Sequence, residues 1–422
     1  MALTKKPVTG MKDILPYEMQ VRDYVTGLVK ETYTGFGFQS IETPCVEHLE
    51  NLCSKQGGEN EKLIFKIMKR GEKLNLETAR CEEDVSDSGL RYDLTLPLSR
   101  YYANHANELP SPFKALQMGS VWRADRPQKG RFRQFVQCDI DILGDPSFLA
   151  EIELILATTT LLSRLDFKNF TVRINDRKIL KAMASYAGFP EDRFDQVFIT
   201  LDKMDKIGLE GVREELKKDG YSQEGIDKYL DLFDKASGDT EGIRFLKDKL
   251  GDFLPEEATE NLLTIIESVE ATRSADFKLV FDPTLVRGMS YYTGTIFEIS
   301  MDEFGSSVAG GGRYDDMIGR FTGQKTCACG FSIGFERIIT ILMDREFKVP
   351  ARGDRKVFLI EKGADRKRIC EIMKEAADLR SKGSSVLVSW MNKNKKFQKE
   401  QLIKEGYKEE EIRDFYNTEF KR

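Results

Sequence analysis

Two blocks of strand-like sequence lie on either side of a long helical one, and this limits the fold more than any other feature. Residues 113–144 alternate as two strands around the polar loop RADRPQKGR, FTVRIN follows as a further strand, and after the helical stretch strand patterns return at FKLVFDP, GTIFEIS and SSVAGGGRYD. Residues 176–275, between them, carry long charged helices with several Lys/Glu pairs and no chemical motif. The pattern predicts a strand-containing core interrupted by an inserted helical domain. Within the first block, RFRQFVQCDIDILG (131–144) sets Gln137, Asp139 and Asp141 among Phe135, Val136, Cys138, Ile140 and Ile142. A core strand does not carry such polar groups without partners, so they are expected to face a site.

The remaining elements follow from period and punctuation. Residues 17–34 read as a helix with Val21, Tyr24, Val25 and Val29 on one face. Gly35 and Gly37 end it, and a strand stops at Pro44. Residues 61–80 read as a hairpin turning at Arg70-Gly71, RYDLTLP (91–97) as a short strand, and 148–165 as a helix. FSIGFERIITILMDRE is a strand running into a helix. After the linker FKVPARGD, residues 353–390 form a βαβ unit. From residue 391 the pattern predicts polar helices to the end. At 422 residues, 40% hydrophobic and 32% charged, the chain reads as an ordinary globular protein of two or three domains. Its net charge of −5 means that any contact with nucleic acid must come from local basic patches.

The seven cysteines are scattered and odd in number, which suits a reducing cytoplasm better than a disulfide framework. Cys327 and Cys329 form a CxC, but the only histidines are His48 and His105. A closed zinc site is therefore not expected, and no metal ligands are assigned. No apolar run of about 18 residues exists, so neither a membrane span nor an obvious secretion signal is expected.

Three segments carry chemistry. VWRADRPQKGRFR (121–133) holds Arg123, Arg126, Lys129, Arg131 and Arg133 against a single acid, Asp125. Alone it reads as a solvated hairpin tip. As a site it is a phosphate cradle, because guanidinium forks match phosphate oxygens bidentately. LVRGMSYYTGTIFEI (285–299) sets Arg287 before Tyr291 and Tyr292, and its bland reading is a structural ion pair. GFSIGFERI (330–338) runs a glycine-bearing strand into a helix carrying Arg337, and its bland reading is a close-packed turn with a surface arginine.

Together these segments resemble the signature motifs of class II aminoacyl-tRNA synthetases, specifically the histidyl-tRNA synthetase family. The long helix and the strand ending at Pro44 look like motif 1, SVWRADRPQKGRFRQF like motif 2 and GFSIGFERI like motif 3. LVRGMSYYTGTIFE and VAGGGRYD resemble the two histidyl-specific stretches, and TGMKDILP the N-terminal signature. The resemblance covers roughly residues 5–345 and weakens beyond.

The resemblance implies an α/β (α+β) fold: an antiparallel sheet flanked by helices, with a helical insertion and a small C-terminal α/β domain like those that bind anticodons. The implied boundaries are 1–175 and 276–346 for the two parts of the catalytic core, 176–275 for the insertion and 353–422 for the C-terminal domain. It implies activation of L-histidine by ATP to histidyl-adenylate and transfer to the 3′ end of tRNA(His), by a cytoplasmic homodimer. Asp93, Thr95 and Gln137 would hold the α-ammonium, and Asp141 and Tyr292 the imidazole, with Tyr291 and Tyr314 lining the pocket. An imidazole needs a partner at each nitrogen, and an acid at one N–H fixes its tautomer. Arg123 and Arg287 would clamp the α-phosphate and be catalytic. Arg131 and Arg337 would take the γ-phosphate, Phe135 would stack on adenine and Asp125 would help fix that ring. Mg²⁺ would bridge the β- and γ-phosphates. Arg126, Gln128 and Lys129 would meet the acceptor end, where histidine tRNAs carry an extra 5′ guanosine. Asp139 is expected on the opposite face and receives no role.

The chain departs from the family at three places. Asp125 stands where the longer Glu is common, Ser290 where many relatives have Asp, and the C-terminal domain looks shortened. Two other readings compete. One is a histidine-sensing paralogue, such as the regulatory subunit of ATP phosphoribosyltransferase, which charges no tRNA. The other is adenylation of a different small metabolite. Retention of Arg123, Arg287, Arg337 and RPQKGR favours the synthetase.

Overall fold

The computed structural model describes residues 3–53, 61–127, 132–236, 238–287, 292–301, 305–350 and 353–417. In chain order the strands are β1 (Gln39–Ile41), β2 (Val46–His48), β3 (Lys66–Met68), β4 (Ser86–Leu90), β5 (Phe113–Trp122), β6 (Gln134–Leu143) and β7 (Phe170–Asp176). They continue as β8 (Lys278–Phe281), β9 (Thr295–Met301), β10 (Ser306–Arg313), β11 (Ala328–Ile333), β12 (Arg355–Ile360), β13 (Ser385–Trp390) and β14 (Ile412–Phe415). The chain divides into two compact units, Met1–Asp13 with Val25–Ile341 and Ile14–Tyr24 with Leu342–Arg422.

An eight-stranded sheet dominates the larger unit, in the order β1-β5-β6-β11-β10-β9-β7-β8. Its five central pairings, from β5 to β7, are antiparallel, and β1 and β8 join the edges in parallel. The sheet is thus assembled from both strand blocks, with β6 of the first hydrogen-bonded to β11 of the second. One face of β6 presents Cys138, Ile140 and Ile142, all at most 1% exposed. On that side of the sheet Arg313 of β10 makes a buried, two-pronged pair with Glu151 of the helix Leu149–Arg164, at 2.7 Å through each nitrogen. The helix Pro16–Gly35 stops in a left-handed glycine turn: Gly37 has φ +82° and Phe38 N–H donates to the Tyr33 carbonyl at 3.0 Å.

The stretch between β7 and β8 is a run of amphipathic helices: Arg177–Tyr186, Phe194–Leu201, Met204–Lys218, Gln223–Lys235, Thr240–Leu250 and Glu256–Thr272. Side-chain caps start three of them. Asp176 accepts from Lys178 N–H, Ser222 from Gly225 N–H, and Asp239 from the Glu241 and Gly242 N–H groups. Their apolar stripes, among them Val197, Leu216, Tyr229 and Ile265, are fully buried.

Three local expectations are corrected. Residues 61–80 do not form a hairpin: Lys66–Met68 pairs with β4 instead, and Gly71–Lys73 is a single 3₁₀ turn. The second arm, rich in Lys, Arg and Glu, has too little apolar surface to hold a strand. RYDLTLP is not a strand either. Arg91 lies across Gly119 of β5, donating to the Ser120 and Thr43 carbonyls at 2.8 Å each. The Asp93 carboxylate then accepts Leu96 N–H at 3.1 Å as the helix Thr95–His105 begins.

The third correction is C-terminal. The chain does not run to its end in polar helices: after the helix Lys395–Lys404, β14 adds in parallel to β12. The smaller unit therefore carries an all-parallel sheet, β13-β12-β14. Only Ile412 and Phe415 of β14 are buried, and the charges between them hid its strand character. Asp414 is fixed by Lys395 and Lys399 at 3.0 and 2.9 Å.

Candidate active site

Strand register builds the site as two rows across one face of the sheet. Directly opposed residues point to the same side. The first row reads Gln117 (β5), Asp139 (β6), Ser332 (β11), Gly310 (β10), Glu298 (β9) and Arg173 (β7). The second, two residues along, reads Ala115, Asp141, Gly330, Gly312, Ile296 and Asn175. Gln137, Asp139 and Asp141 therefore share one face. The expectation that Asp139 points the other way is corrected: β6 runs without a bulge, so residues two apart stay together.

The second row is a hollow made by glycines. A Cβ at Gly330 would lie 1.9 Å from Asp141 Oδ1 and 3.1 Å from the Tyr314 ring, and one at Gly312 would lie 3.1 Å from the Tyr292 ring. Only glycine leaves Asp141 and the two tyrosines room above the sheet. Tyr314 donates its hydroxyl to Asp141 Oδ1 at 2.5 Å. Behind them the hollow closes on apolar packing: Phe113, Ala115, Leu143 and Ala328 meet Leu98, Met317 and Ile318.

Electrostatically this floor is acid-rich. Burial, then the charges of Asp139 and Asp93, push the Asp141 carboxyl well above the usual range, against the Tyr314 hydrogen bond. Asp139 is pushed up to about 7, chiefly by burial and by Asp93, with Ser332, Arg123 and Gln137 opposing. Burial also raises Asp93. Gln137 Nε2 donates to Asp139 Oδ2 at 3.3 Å. Gln137 Oε1 and Asp139 Oδ1 are buried with no hydrogen-bond partner among the described residues. Orphaned acceptors at one spot are costly, and a bound cation with N–H donors would satisfy them.

Arginines flank the floor. Arg123, just beyond β5, donates from Nε to the Tyr92 carbonyl at 3.1 Å, and its guanidinium lies 4.3 Å from the Tyr92 ring centre and 5.2 Å from that of Phe135. Arg287 rests on Gly310, where a Cβ would be 1.5 Å from Nη1; it pairs with Glu298 at 3.0 Å and donates to the Ala309 carbonyl at 3.3 Å. Two strands, β6 and β11, separate Gly310 from β5, so the acids lie between the arginines. Arg337, on the helix Phe335–Asp344, donates to the Ser307 carbonyl, and its neighbour Glu336 accepts Val136 N–H at 3.1 Å. The N-terminal segment supports this edge: Arg133 N–H donates to the Gly10 carbonyl at 2.8 Å and Lys12 lies 4.8 Å from the Phe132 ring centre.

The structure thus gathers Asp93, Gln137, Asp141, Tyr292 and Tyr314 around one hollow, with Arg123, Phe135 and Arg287 at its rim. Thr95 opens the helix that follows Asp93. Asp125 accepts Arg133 Nε through its carbonyl at 3.0 Å, and Arg126 is exposed in the loop. Gln128, Lys129, Arg131 and Tyr291, like Ser290, lie outside the described residues. Sequence reasoning missed two members. Asp139 was within reach of the two-residue period of β6. Glu298, which holds Arg287, carried no signal, because an acid in an alternating strand reads as a solvent-facing position.

Comparison with known proteins fits this geometry. Residues 10–338 match the family described as histidyl-tRNA synthetase. A histidine–tRNA ligase of Leifsonia xyli subsp. xyli is 45% identical over 350 residues, 81% of each chain. That of Christiangramia forsetii is 39% identical over 345 residues, covering 79% of this chain and 75% of its own. Among solved structures, histidyl-tRNA synthetase from Nostoc sp. PCC 7120 aligns with a TM-score of 0.78 at 27% identity, over 96% of this chain and 90% of that one. An ATP phosphoribosyltransferase regulatory subunit/histidyl-tRNA synthetase from Bacillus halodurans shares the fold, with a TM-score of 0.79 at 21% identity over 99% of each chain.

Proposed function

The chain belongs to the histidyl-tRNA synthetase family, and on that premise we propose that the acid-rich hollow activates L-histidine with ATP and passes it to the 3′ end of tRNA(His). The observation that carries this reading is the acid-bearing β6 face set between Arg123 and Arg287. An amino acid offers such a face an ammonium and a carboxylate, and the carboxylate must meet ATP where the arginines are.

In the first step a carboxylate oxygen of histidine attacks the α-phosphorus. The bond from that phosphorus to the bridging oxygen breaks, and pyrophosphate leaves. In the second, the terminal ribose hydroxyl of tRNA attacks the activated carbonyl, AMP departs with the bonding pair, and the hydroxyl proton is lost. Asp93, Thr95 and Gln137 hold the α-ammonium. Asp141 and Tyr292 meet the imidazole. Tyr314 orients Asp141 through its hydroxyl, and Tyr291 lines the pocket. Arg123 and Arg287 receive the negative charge that grows on the α-phosphate oxygens, stabilisation that is strongest in the transition state. Arg287 leaves Glu298 for the phosphate or shares itself between them. Phe135 stacks on adenine, Asp125 helps fix it, and Arg131 and Arg337 take the γ-phosphate. Mg²⁺ bound with ATP would supply neutralisation of phosphate charge, beside Arg131 and Arg337.

Arg126, Gln128 and Lys129 meet the tRNA acceptor end. Residues 176–275 act as an insertion domain, and residues 353–422 as an anticodon-binding-like domain. The working form is a cytoplasmic homodimer, with the helix Pro16–Gly35 and β1 forming a self-complementary interface. The described residues contain no helix long and apolar enough to cross a membrane. Incubation with labelled histidine, ATP and tRNA(His) tests the proposal. It expects acid-precipitable histidyl-tRNA. Histidine binding without any charging would point instead to the regulatory paralogue.

A further inference from the structure

Asp139 sits at the centre of the floor, and nothing in the reaction above uses it. Its cross-strand neighbours are Gln117 and Ser332, and Asp141 and Gln137 flank it on its own strand. Asp93 faces it from the turn before the helix Thr95–His105, and Arg123 from the end of β5. Its charge also acts on Cys138, Tyr33 and Tyr314. Gln117 donates its amide nitrogen to the Thr43 hydroxyl, and its Oε1 is a further buried acceptor without a partner among the described residues. Among the described residues, Arg123 is the cation whose charge acts on Asp139, and it is engaged with the Tyr92 carbonyl and two rings. Three carboxyl groups, Asp93, Asp139 and Asp141, thus lie within electrostatic reach of one another.

A side-chain amide has a donor end and an acceptor end. The 3.3 Å bond from Gln137 Nε2 to Asp139 Oδ2 engages the donor end. The acceptor end, Oε1, is then free of any partner among the described residues, and so is Asp139 Oδ1. Had position 139 been apolar, the amide could present either end to the hollow. An ammonium brings three N–H donors and one positive charge. It would meet an oriented carbonyl oxygen with a buried carboxylate behind it.

We propose that Asp139 is a positioning residue for the α-ammonium of the amino-acid substrate, turning the Gln137 amide oxygen toward it and supplying the charge that holds it. This rests on the reading that the hollow binds histidine. Because burial and the neighbouring Asp93 hold the Asp139 carboxyl at about 7, an arriving ammonium expels its proton. Affinity for the ammonium therefore rises from pH 6 to 8.

Two ligands separate this from a packing role: histidinol, which keeps the ammonium and lacks the carboxylate, and imidazole-4-propionate, which lacks the amine. Their affinities are measured by calorimetry on the full chain and on Asp139→Asn and Asp139→Leu. Asn keeps an acceptor for Gln137 but no charge, and Leu removes both. Histidinol binding should fall about 10-fold in Asp139→Asn and further in Asp139→Leu, with imidazole-4-propionate changed by less than about 3-fold. Histidinol affinity in the unmodified chain should rise with pH, beyond any rise shown by imidazole-4-propionate, and Asp139→Asn should abolish that excess. If Asp139→Leu does not fold, the Asn variant and its pH profile decide alone. Equal weakening of both ligands, or none of either, overturns the proposal. Failure of the unmodified chain to bind histidine sinks the underlying reading first, and this proposal with it.

Discussion

Asp139 and Arg287 show what single residues contribute at this site. Burial lifts the Asp139 carboxyl from 3.8 to about 7, so the role proposed for it opposes stability. An unfolded chain releases that proton near pH 4, the folded one near 7. Between these values the unfolded state binds fewer protons, so the Asp139 contribution to stability is lost as pH rises through that window. Asp176, raised to about 6 by burial, acts in the same direction, so the difference between variants isolates Asp139. Asp139→Asn should melt higher than the unmodified chain at pH 8 by about 2–4 °C, with the gap shrinking at pH 5; thermal unfolding at both values checks this. A gap that widens toward pH 5 would mean that Asp139 is ionised and paired. Arg287 is expected to act on the transition state. Arg287→Ala should lower kcat for adenylate formation by about 10²-fold or more, with histidine affinity nearly unchanged. Loss of affinity at constant kcat would make it a ground-state ligand. Arg123 and Arg287 were singled out in the sequence by the resemblance of their segments to family motifs; alone, each segment also fitted a hairpin tip or a structural ion pair. Asp139 was hidden by a misjudged strand face, although the alternation that buries Cys138 and Ile140 requires it to join Gln137 and Asp141.

Among elements, those with a clean period were readable and those shaped by distant partners were not. β5, β6 and the helix Leu149–Arg164 follow from alternation and helical spacing alone. The segment 91–94 instead takes its course from Arg91 lying across Gly119, a contact made with β5. β14 carries only two buried apolar residues and is defined by its pairing with β12. The two register rows were beyond sequence reading, because they depend on which strands are neighbours, and β6 meets β11 across a long stretch of intervening chain. The opposite face of the sheet gives a stability test. Glu151 is 2% exposed and holds Arg313 through two 2.7 Å bonds. Glu151→Ala leaves that guanidinium buried with only the Asp145 and Ser147 carbonyls and Asp315 nearby. It should cost about 3–5 kcal/mol in denaturant unfolding. A loss below about 1 kcal/mol would mean that the carbonyls suffice.

For the molecule as a whole, the larger unit carries every described residue assigned to the reaction, and the smaller one carries a short three-stranded sheet. A sheet of that size offers few stacking platforms for single-stranded bases. Identity of tRNA(His) should therefore be read mainly at the acceptor end. With transcripts, removing the extra 5′ guanosine should lower kcat/KM far more than replacing anticodon bases. A dominant anticodon effect would assign recognition to the smaller unit. The reaction proposed for the larger unit has the face of β6 between Arg123 and Arg287 join histidine to the α-phosphate of ATP. Amino-acid-dependent exchange of labelled pyrophosphate into ATP measures this without tRNA. Exchange should saturate with L-histidine and stay at background with the other amino acids. Histidine that binds without supporting exchange, or exchange driven by a different amino acid, would contradict it.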